Sequence, residues 1–544
     1  MAAATVATVS GQELNPIALP NGRKTLFQAL VDVRARVGGS RAAIVDGDET
    51  VATYDMLVMG SLAVGHALRK GTAPGEAVGI MLPTSLGAVI AFFALSAFGR
   101  VPTMLNFSNG AAGVLSALRT AKVKRIVTAR KFIDLANLGG MVGELSNQAE
   151  IIYLEDVRKN LTVFDKAAAA TGKFAPDFVT RGTAKQFAAN VWANITHQVP
   201  VYDRPAVILF TSGTEGEPKG VALSHFNILI NIEQACQHVD LFAHDVMFNA
   251  LPMFHCFGLN TGVILPLIVG FKTVLHPTPL QPKEISRRIG MTGATILIST
   301  DTFMSQYVRA SEEGDLKKLR IVACGAERVR DETRQLLHRK SSLEILEGYG
   351  LTEASPLAAI NQPGANNHSG TIGHLLPGMR ARLEPVEGIP NAGRMFIQGP
   401  NVMLGYIRPD QPGVIQPLKD GWHDTGDVVH IDDDGFVSIK GRLKRFAKIG
   451  GEAVSLAVVE NIALALWPDF SHAAVTLPDG RKGEQIVLLT TNPGADRIDL
   501  VGWAQNHGVP ELAVPKRILH VDDIPVLGTG KIDYTRVEKM ALAK

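Results

Sequence analysis

A glycine-rich loop after an apolar strand is the segment of this sequence best equipped to bind an anion. Residues 209–220 read LFTSGTEGEPKG, an apolar run followed by three glycines, three hydroxyl side chains and one lysine. Glycines let backbone N–H groups approach an anion, hydroxyls donate hydrogen bonds, and Lys219 supplies positive charge. The segment predicts a polyphosphate-binding loop, with a surface hairpin as the alternative. It is not a Walker A loop, because Pro218 replaces the second glycine and Gly220 follows the lysine.

A second cluster, residues 347–353, reads EGYGLTE. The ring of Tyr349, between two glycines, can lie against a planar base, and Thr352 can donate a hydrogen bond to phosphate. The carboxylate of Glu353 is a suitable ligand for Mg²⁺ beside phosphate oxygens. Alone, such a segment is typical of a turn, so its value lies in its combination with the first loop.

A predicted hairpin brings an acid and a guanidinium together. Residues 427–432 and 436–440 alternate like two strands about an Asp434-Gly435 turn. Asp427 lies seven residues before Asp434 and Arg442 lies seven after Gly435, so both are expected at the open end of the hairpin. The pair could grip the two hydroxyls of one ribose, and the alternative is a structural salt bridge.

One lysine stands at the tip of a glycine-rich loop near the C-terminus, where residues 525–531 read PVLGTGK. Most lysines in such positions are solvated surface charges. Lys531 is therefore a candidate for chemistry only in combination with the other clusters.

The elements that must position these residues alternate between short β-branched runs and longer helical patterns through about residue 330. This alternation predicts βα units on parallel sheets covered by helices. Residues 370–441 are punctuated by Gly and Pro, which predicts antiparallel or barrel-like strands, and a helix is expected to begin near Ser455. We therefore expect an α/β fold with a large domain of helix-covered sheets and a β-barrel-like portion (residues 1–442), and a small mobile α/β domain (443–544).

Composition excludes several classes of protein. The 544 residues carry 54 Lys+Arg against 52 Asp+Glu, a net charge of +2, which supplies no broad footprint for nucleic acid. The three cysteines, which include Cys256, form no CxxC pair, so a disulfide framework and a structural zinc site are disfavoured and a reducing cytoplasm fits best. Residues 1–22 lack the basic residues of a signal peptide and are interpreted as a frayed arm.

One uncharged stretch, between Glu76 and Arg100, is almost long enough to span a bilayer. Pro83, Thr84 and Ser85 divide it into a β-like run and a helix-like run. A buried strand followed by a buried helix is therefore favoured over a membrane span.

The four clusters occur in the order and approximate spacing of the adenylate-forming superfamily, which includes acyl-CoA synthetases, luciferases and peptide-synthetase adenylation domains. The resemblance covers nearly the whole chain. Within the superfamily, residues 441–456 (GRLKRFAKIGGEAVSL) and 507–515 (HGVPELAVP) resemble the acyl-ACP synthetase portion of a bacterial bifunctional acyltransferase/acyl-ACP synthetase. The chain is too short to carry an acyltransferase as well.

The resemblance implies a two-step reaction of ATP and Mg²⁺ with a fatty acid. The carboxylate attacks the α-phosphate, giving acyl-AMP and pyrophosphate, and a phosphopantetheine thiol then takes the acyl group and releases AMP. Tyr349 would face the adenine, Thr352 would touch the α-phosphate, Glu353 would bind Mg²⁺, and Asp427 with Arg442 would hold the ribose. The β- and γ-phosphates would be held by Thr211, Ser212, Gly213, Thr214 and Lys219, and the other adenine edge would be lined by Gly325, Ala326 and Glu327.

The remaining roles concern the acyl group and the thiol. The resemblance implies that Lys531 bridges the carboxylate and the α-phosphate, and that His255 lies at the mouth of the acyl pocket. Lys444 would be the hinge about which the small domain rotates between steps, and Gly450 and Gly451 would lie beside the pantetheine arm. Cys256, next to His255, invites a nucleophile or metal role, but no ligand cluster accompanies it and packing is favoured.

The thiol acceptor is the main open alternative. Acyl carrier protein is strongly acidic, and the segment between Asp434 and Glu452 holds five basic residues and no acidic one, which favours that acceptor over CoA. The alternatives are a medium- or long-chain fatty acyl-CoA ligase and, in a different class, a non-catalytic nucleotide-binding protein. A cytoplasmic enzyme is expected, with transient contact to the inner membrane because its substrate is fatty. The five basic residues are Lys440, Arg442, Lys444, Arg445 and Lys448.

Overall fold

In the computed structural model, the described residues are 7–10, 23–179, 199–211, 218–449, 452–479, 483–526 and 532–543. The chain divides into two compact units. The larger unit comprises residues 11–379 and 398–423, and the smaller unit comprises residues 1–10, 380–397 and 424–544.

The larger unit contains a nine-stranded sheet whose six central strands are mutually parallel. Antiparallel strands complete both edges. The central strands are short and almost fully buried, as expected for a parallel sheet covered on both faces. In sheet order the strands are His374–Leu375, Leu357–Ile360, Ile345–Gly350, Ile321–Cys324, Ile296–Ser299, Val246–Asn249, Lys272–Leu275, Ala42–Val45 and Val51–Thr53.

A second sheet of the larger unit has eight strands, five of them parallel. Its core includes Val101, Ile126 and Ile208, all fully buried. The apolar strand predicted before the glycine-rich loop is found in this sheet. In sheet order the strands are Ile415–Pro417, Gly405–Ile407, Lys219–Ser224, Pro205–Thr211, Val101–Met104, Ala77–Ile80, Arg125–Thr128 and Glu150–Tyr153.

Helices alternate with the parallel strands, as predicted. Their ends follow local chemistry: Pro282 opens one helix and Gly293, with φ of 65°, ends it. The α-helices of the larger unit are Leu26–Val37, Tyr54–Leu68, Leu86–Ala97, Gly110–Thr120, Arg130–Leu135, Gly139–Leu145, Leu154–Lys159, Val163–Phe174, Pro176–Val179, His225–His238, Leu265–Val269, Pro282–Thr292, Asp301–Ala310 and Asp331–Ser341, with a π-helix at Phe257–Ile264.

The uncharged stretch before Arg100 forms the predicted strand and helix. Ala77–Ile80 is a fully buried strand, and Leu86–Ala97 is a helix that begins where the Ser85 hydroxyl accepts a hydrogen bond from the Ala88 N–H. Within the described part of the chain, no helix is long and apolar enough to cross a membrane.

The smaller unit contains two sheets. In the first, Ala7–Ser10 pairs antiparallel with Arg380–Val386, and His423–Ile431 pairs antiparallel with Val437–Arg442 around the central strand Ile389–Gln398. The second sheet is covered by helices, one of which, Leu456–Leu466, begins directly after Ser455 as predicted. The second sheet comprises Glu452–Ser455, Phe446–Ile449, Gly483–Thr490, His472–Asp479 and Arg517–His520, and the α-helices of the unit are Leu456–Leu466, Arg497–Asn506 and Tyr534–Leu542.

The barrel-like portion expected within residues 370–441 takes a different form. Its strands join three open sheets, and the sheets of the described residues include no closed barrel. Closure would require the first and last strands of one sheet to pair, whereas the strands of this segment form most of one open sheet and add to the edges of two others. The domain boundary at residue 442 stays a prediction, because the compact unit that holds residues 443–544 also takes in residues 1–10, 380–397 and 424–442.

The helix Val163–Phe174, called the surface helix below, is anchored by one buried carboxylate. Asp165 accepts hydrogen bonds from the Thr162 backbone and hydroxyl and from Lys70 Nζ, at 2.8, 2.6 and 3.1 Å. His66 Nδ1 lies 2.5 Å from Asp165 Oδ1, the same oxygen that Lys70 contacts. Burial alone would raise the pKa of Asp165, but the hydrogen bonds from Thr162, His66 and Lys70 outweigh burial and hold this pKa well below its ordinary value.

We expect Asp165→Asn to destabilise the protein by roughly 2 kcal/mol at neutral pH, since it weakens charged hydrogen bonds at a buried site. Because the folded-state pKa lies below the unfolded value of about 3.9, ionised Asp165 contributes stability above about pH 4. That contribution is lost as pH falls toward the folded-state pKa. Urea unfolding at pH 7 and pH 3 measures both effects, and an equal difference between wild type and variant at the two pH values would contradict this assignment.

Candidate active site

The ends of the glycine-rich loop are held together by a strand pair. Thr211 is the last residue of Pro205–Thr211 and lies opposite Lys219, the first residue of Lys219–Ser224. The predicted phosphate ligands at the ends of the loop therefore lie side by side on two antiparallel strands. Ser212, Gly213 and Thr214 lie outside the described residues, and their role stays a prediction.

A tyrosine that the sequence analysis missed connects this hairpin with Glu353. Tyr406 lies on Gly405–Ile407, the strand beside Lys219–Ser224, and its hydroxyl donates a 2.6 Å hydrogen bond to Glu353 Oε1. The Lys219 ammonium lies 5.9 Å from the centre of the Tyr406 ring. The Met403 N–H donates a 2.8 Å hydrogen bond to the Glu353 carbonyl. The lysine of the first cluster and the carboxylate of the second thus both lie beside Tyr406.

Two adjacent parallel strands bring the adenine candidates to one sheet edge. Ile321–Cys324 leads directly into Gly325, and its neighbour Ile345–Gly350 carries Tyr349 near its carboxyl end. Ligands of open α/β sheets bind beyond the carboxyl ends of strands, because the loops there converge. A Cβ on Gly325 would lie 3.3 Å from the Gly348 carbonyl oxygen, so glycine permits this close approach.

The segment after Gly325 has a constrained backbone. Ala326 has φ of 71°, in the left-handed region, and is exposed. The Glu327 carboxylate accepts hydrogen bonds from the backbone N–H and hydroxyl of Thr302, at 3.0 and 2.9 Å. We infer that Glu327 shapes this loop through Thr302, while the predicted contact of all three residues with adenine stays untested.

Tyr349 is buried and Thr352 is partly exposed. Thr352 and Glu353 lie in a short 3₁₀ turn, Thr352–Ala354, directly after the strand that carries Tyr349. The EGYGLTE segment therefore brings a buried ring, a hydroxyl and a carboxylate together at the end of one strand.

His255 follows a third parallel strand of the same sheet, Val246–Asn249. Its loop is compact because the Asn249 side chain donates to the Gly258 carbonyl and accepts from the Leu251 N–H, both at 3.0 Å. His255 is partly exposed and its ring centre lies 5.0 Å from that of Phe254. Its position at an acyl pocket stays a prediction.

Cys256 is a buried packing residue. Burial, and to a lesser degree the negative charge of Glu353, raise the pKa of its thiol well above the ordinary value. The Asn260 amide lies 3.3 Å from its sulfur. A thiol held protonated is a poor nucleophile and metal ligand, which supports the interpretation as packing.

In the smaller unit, the predicted pair Asp427 and Arg442 lies at the open end of the hairpin. The two residues are direct partners across the strands, and Arg442 Nε donates to Asp427 Oδ1 at 3.0 Å. Asp427 is buried, whereas the Arg442 side chain is 69% exposed. The juxtaposition is confirmed, and the salt bridge weighed as an alternative is present. Ribose binding by the same pair stays a prediction.

The basic run of the smaller unit is partly committed to internal contacts. Arg445 donates a 2.8 Å hydrogen bond to Glu460 and lies 3.5 Å from the centre of the Tyr534 ring. Arg442 contacts Asp427. The other three members of the run are exposed lysines: Lys440, Lys444 and Lys448. The positive charge available to bind an acidic partner is therefore smaller than the five residues suggested.

Lys444 lies in the 3₁₀ turn Leu443–Arg445, and its hinge role stays a prediction. Gly450, Gly451 and Lys531 lie outside the described residues. On either side of residues 527–531, Val526 pairs with Ile532, and the Asp533 N–H donates to the Pro525 carbonyl at 2.8 Å.

The residues around Glu353 fit a cation that is held mainly by phosphate. Within the described ranges, no group of three or more His, Cys, Asp or Glu side chains is arranged to hold a metal ion. Mg²⁺ commonly binds through one or two carboxylates plus substrate phosphates rather than in an all-protein cage. A single carboxylate oriented by Tyr406, near Lys219, matches that donor set.

Comparisons with known proteins identify the family of the chain. The family model described as AMP-binding enzyme matches residues 31–407. A long-chain-fatty-acid–CoA ligase of Salmonella typhimurium is 25% identical over 542 residues, covering 94% of each chain. A medium-chain fatty-acid–CoA ligase of Escherichia coli is 26% identical, covering 93% of this chain and 88% of the relative.

Solved structures share the fold. ATP-bound MatB from Rhodopseudomonas palustris matches with a TM-score of 0.76 at 23% identity, covering 95% of this chain and 99% of MatB. The α/β architecture described above is therefore that of a known group of structures.

Proposed function

Since the chain belongs to the AMP-binding enzyme family, we propose that it is a ligase that activates a fatty acid with ATP and transfers the acyl group to CoA. A carboxylate oxygen attacks the α-phosphorus of ATP, the bond to the β-phosphate breaks, and pyrophosphate leaves. The CoA thiol then attacks the acyl carbon, the bond from that carbon to the phosphate oxygen breaks, AMP leaves, and the thiol proton passes to water.

The observation that carries the nucleotide chemistry is the hydrogen bond between Tyr406 and Glu353. It unites the hairpin that bears Thr211 and Lys219 with the strand end that bears Tyr349 and Glu353. The residues proposed to bind phosphate and those proposed to bind a cation thereby lie near one another, which supports the proposal. Lys219 would hold the terminal phosphates, and Glu353 would hold Mg²⁺, which neutralises phosphate charge when bound.

The acceptor is inferred from the relatives. Both relatives described above are named fatty-acid–CoA ligases and align over most of this chain, which supports the alternative considered in the sequence analysis. Transfer to acyl carrier protein, the first expectation, relied on five basic residues. Two of these, Arg442 and Arg445, contact acidic partners within their own unit, which weakens that argument.

The test is thioester formation with ATP, Mg²⁺ and fatty acids from eight to eighteen carbons, with either CoA or holo-acyl carrier protein supplied. We expect acyl-CoA, AMP and pyrophosphate. Thioester only on the carrier protein would overturn the acceptor assignment, and absence of fatty acyl-AMP with every chain length would overturn the substrate assignment. ATP–pyrophosphate exchange with other carboxylic acids then tests whether the adenylation chemistry itself is present.

Tyr406→Phe should raise the KM for MgATP about tenfold, because it removes one hydrogen bond to a charged group while keeping the ring beside Lys219. The predicted change is measured by pyrophosphate exchange over a range of MgATP concentrations. Tyr202→Phe is a control for loss of a tyrosine hydroxyl elsewhere in the larger unit. An unchanged dependence on MgATP in Tyr406→Phe would show that this hydroxyl does not orient Glu353.

A further inference from the structure

The surface helix exposes an apolar outer face. Among the described residues, three of the four most exposed large hydrophobic side chains lie on it: Val163, Phe164 and Phe174, at 80%, 78% and 85% exposure. Single exposed apolar residues are ordinary, but this twelve-residue helix exposes two large apolar side chains at its beginning and a third at its end, about 15 Å further along its axis.

Helical geometry separates this face from the buried one. Asp165, Ala169 and Gly172 are the buried residues of the surface helix. At 100° per residue, Val163 and Phe174, eleven positions apart, project together on the opposite side. Phe164 projects about 80–100° away from both, at the edge of this side, and the exposed residues between Val163 and Phe174 are small, since Ala167 and Ala170 line the same side.

The surface helix is firmly seated, so its outer face has a defined orientation. A Cβ on Gly172 would overlap the Leu62 side chain, which means that the helix approaches Tyr54–Leu68 closely. Asp165 adds contacts with Lys70 and His66 of the same neighbouring segment. The exposed phenylalanines thus belong to an ordered element of the larger unit.

Basic residues flank the apolar face. Lys166 and Lys173 lie seven positions apart on one side of the helix, and both are exposed. Lys173 Nζ lies 3.8 Å from Asp55 Oδ2. Arg158 and Lys159, at the end of the preceding helix, are also exposed. Of the described acidic groups nearby, Asp165 is buried, Asp156 is paired with Arg130, and the exposed Glu155 accepts a 3.3 Å hydrogen bond from the Lys131 N–H, so the four basic residues outnumber the one exposed acid that lacks a basic side-chain partner.

We propose that the outer face of the surface helix binds the surface of an anionic lipid bilayer. Aromatic side chains on one face with lysines at its border are suited to the boundary between acyl chains and headgroups, where phenylalanine is buried and lysine extends to phosphate. The apolar outer face complements the acyl chains, and the basic residues beside it complement anionic headgroups. This combination favours a bilayer over an apolar protein groove.

The binding test uses the full chain with vesicles of phosphatidylcholine alone or mixed with phosphatidylglycerol, followed by sedimentation. We expect binding to the mixed vesicles that weakens with salt. Phe164→Ser with Phe174→Ser should weaken partitioning at least tenfold, because two large apolar side chains no longer enter the bilayer. Lys166→Gln should weaken it about fivefold on anionic vesicles.

A matched control is Leu280→Ser with Ile498→Ser, which removes two side chains of 71% and 75% exposure elsewhere. It should leave vesicle binding unchanged, and thermal unfolding verifies that all variants fold. Binding is measured without ATP or fatty acid, so its failure leaves the proposed function untouched.

Three outcomes would overturn the proposal. The wild-type chain would fail to bind mixed vesicles if another segment covered the face. The phenylalanine variant would bind as well as the control if another surface were responsible. A dimer in analytical ultracentrifugation that the phenylalanine variant abolishes, without vesicle binding, would assign the face to a second copy of the chain.

Discussion

Glu353→Gln lowers the rate of acyl-AMP formation by about 10²–10³-fold. The expectation follows from the position of this carboxylate, which is nearly buried and accepts the Tyr406 hydroxyl beside Lys219. Gln keeps the size of the side chain and an oxygen that can accept the same hydrogen bond, so the substitution isolates the negative charge. Loss of one preorganised electrostatic contact with reacting phosphates typically has an effect of this size. The measurement is kcat for ATP–pyrophosphate exchange.

The matched control for this variant is Glu344→Gln. Glu344 is an exposed carboxylate directly before the strand Ile345–Gly350, and its carboxylate accepts from the Asn367 amide at 3.1 Å. We expect exchange within about twofold of wild type, as for most surface substitutions. If both variants retain full exchange, Glu353 is not part of the nucleotide site.

Lys531→Ala has an equally large expected effect, confined to the first half-reaction. We expect acyl-AMP formation to fall by about 10²–10³-fold, because the ammonium would stabilise charge as the carboxylate attacks the α-phosphate. Transfer of the acyl group from supplied acyl-AMP to CoA should remain largely intact. The two half-reactions are measured separately, by pyrophosphate exchange and by thioester formation from synthetic acyl-AMP.

Lys539→Ala serves as the control for Lys531. Lys539 is exposed in the last turn of the helix Tyr534–Leu542 of the same unit. Equal loss of both half-reactions in Lys531→Ala would contradict a separate role for this lysine in adenylation and, with it, the predicted rotation about Lys444.

Local patterns were sufficient for much of the fold. The strand and helix on either side of Pro83 follow from one proline, two hydroxyl residues and the apolar runs around them. The apolar strand predicted before the glycine-rich loop is found as Pro205–Thr211. Such elements are predictable because strand and helix periods are properties of contiguous residues.

In the Asp427–Arg442 hairpin, counting residues outward from the turn predicted the correct pair, although the count did not include two irregularities that cancel each other. Near the turn, Ile431 pairs with Val437 and Val429 pairs with Ile439. This register is shifted by one residue from the register that a two-residue Asp434-Gly435 turn would produce. Gly435, with φ of 87°, forms part of the longer turn instead. An irregularity between Val428 and Val429 adds one residue, Lys440, to the returning strand and restores the predicted pairing of Asp427 with Arg442.

The barrel-like expectation illustrates the limit of such patterns. Short strands punctuated by glycine and proline are common to barrels and to the edges of open sheets, and only long-range pairing distinguishes them. His374–Leu375 extends one sheet and Gly405–Ile407 another, which no local feature of the chain specifies.

By itself, the sequence determined which functional groups are available: a glycine-rich loop with Lys219, a strand end with Tyr349 and Glu353, and a hairpin with its acid and guanidinium. Those properties reside in short contiguous segments. Tertiary structure alone decided which groups act together. Tyr406 and Glu353 are 53 residues apart and form a hydrogen bond because the fold brings their separate segments together. Arg445 belongs to the basic run in sequence, but in the structure it donates a hydrogen bond to Glu460. Residue type sets what a side chain can do, whereas pairing between distant segments sets which partner it meets.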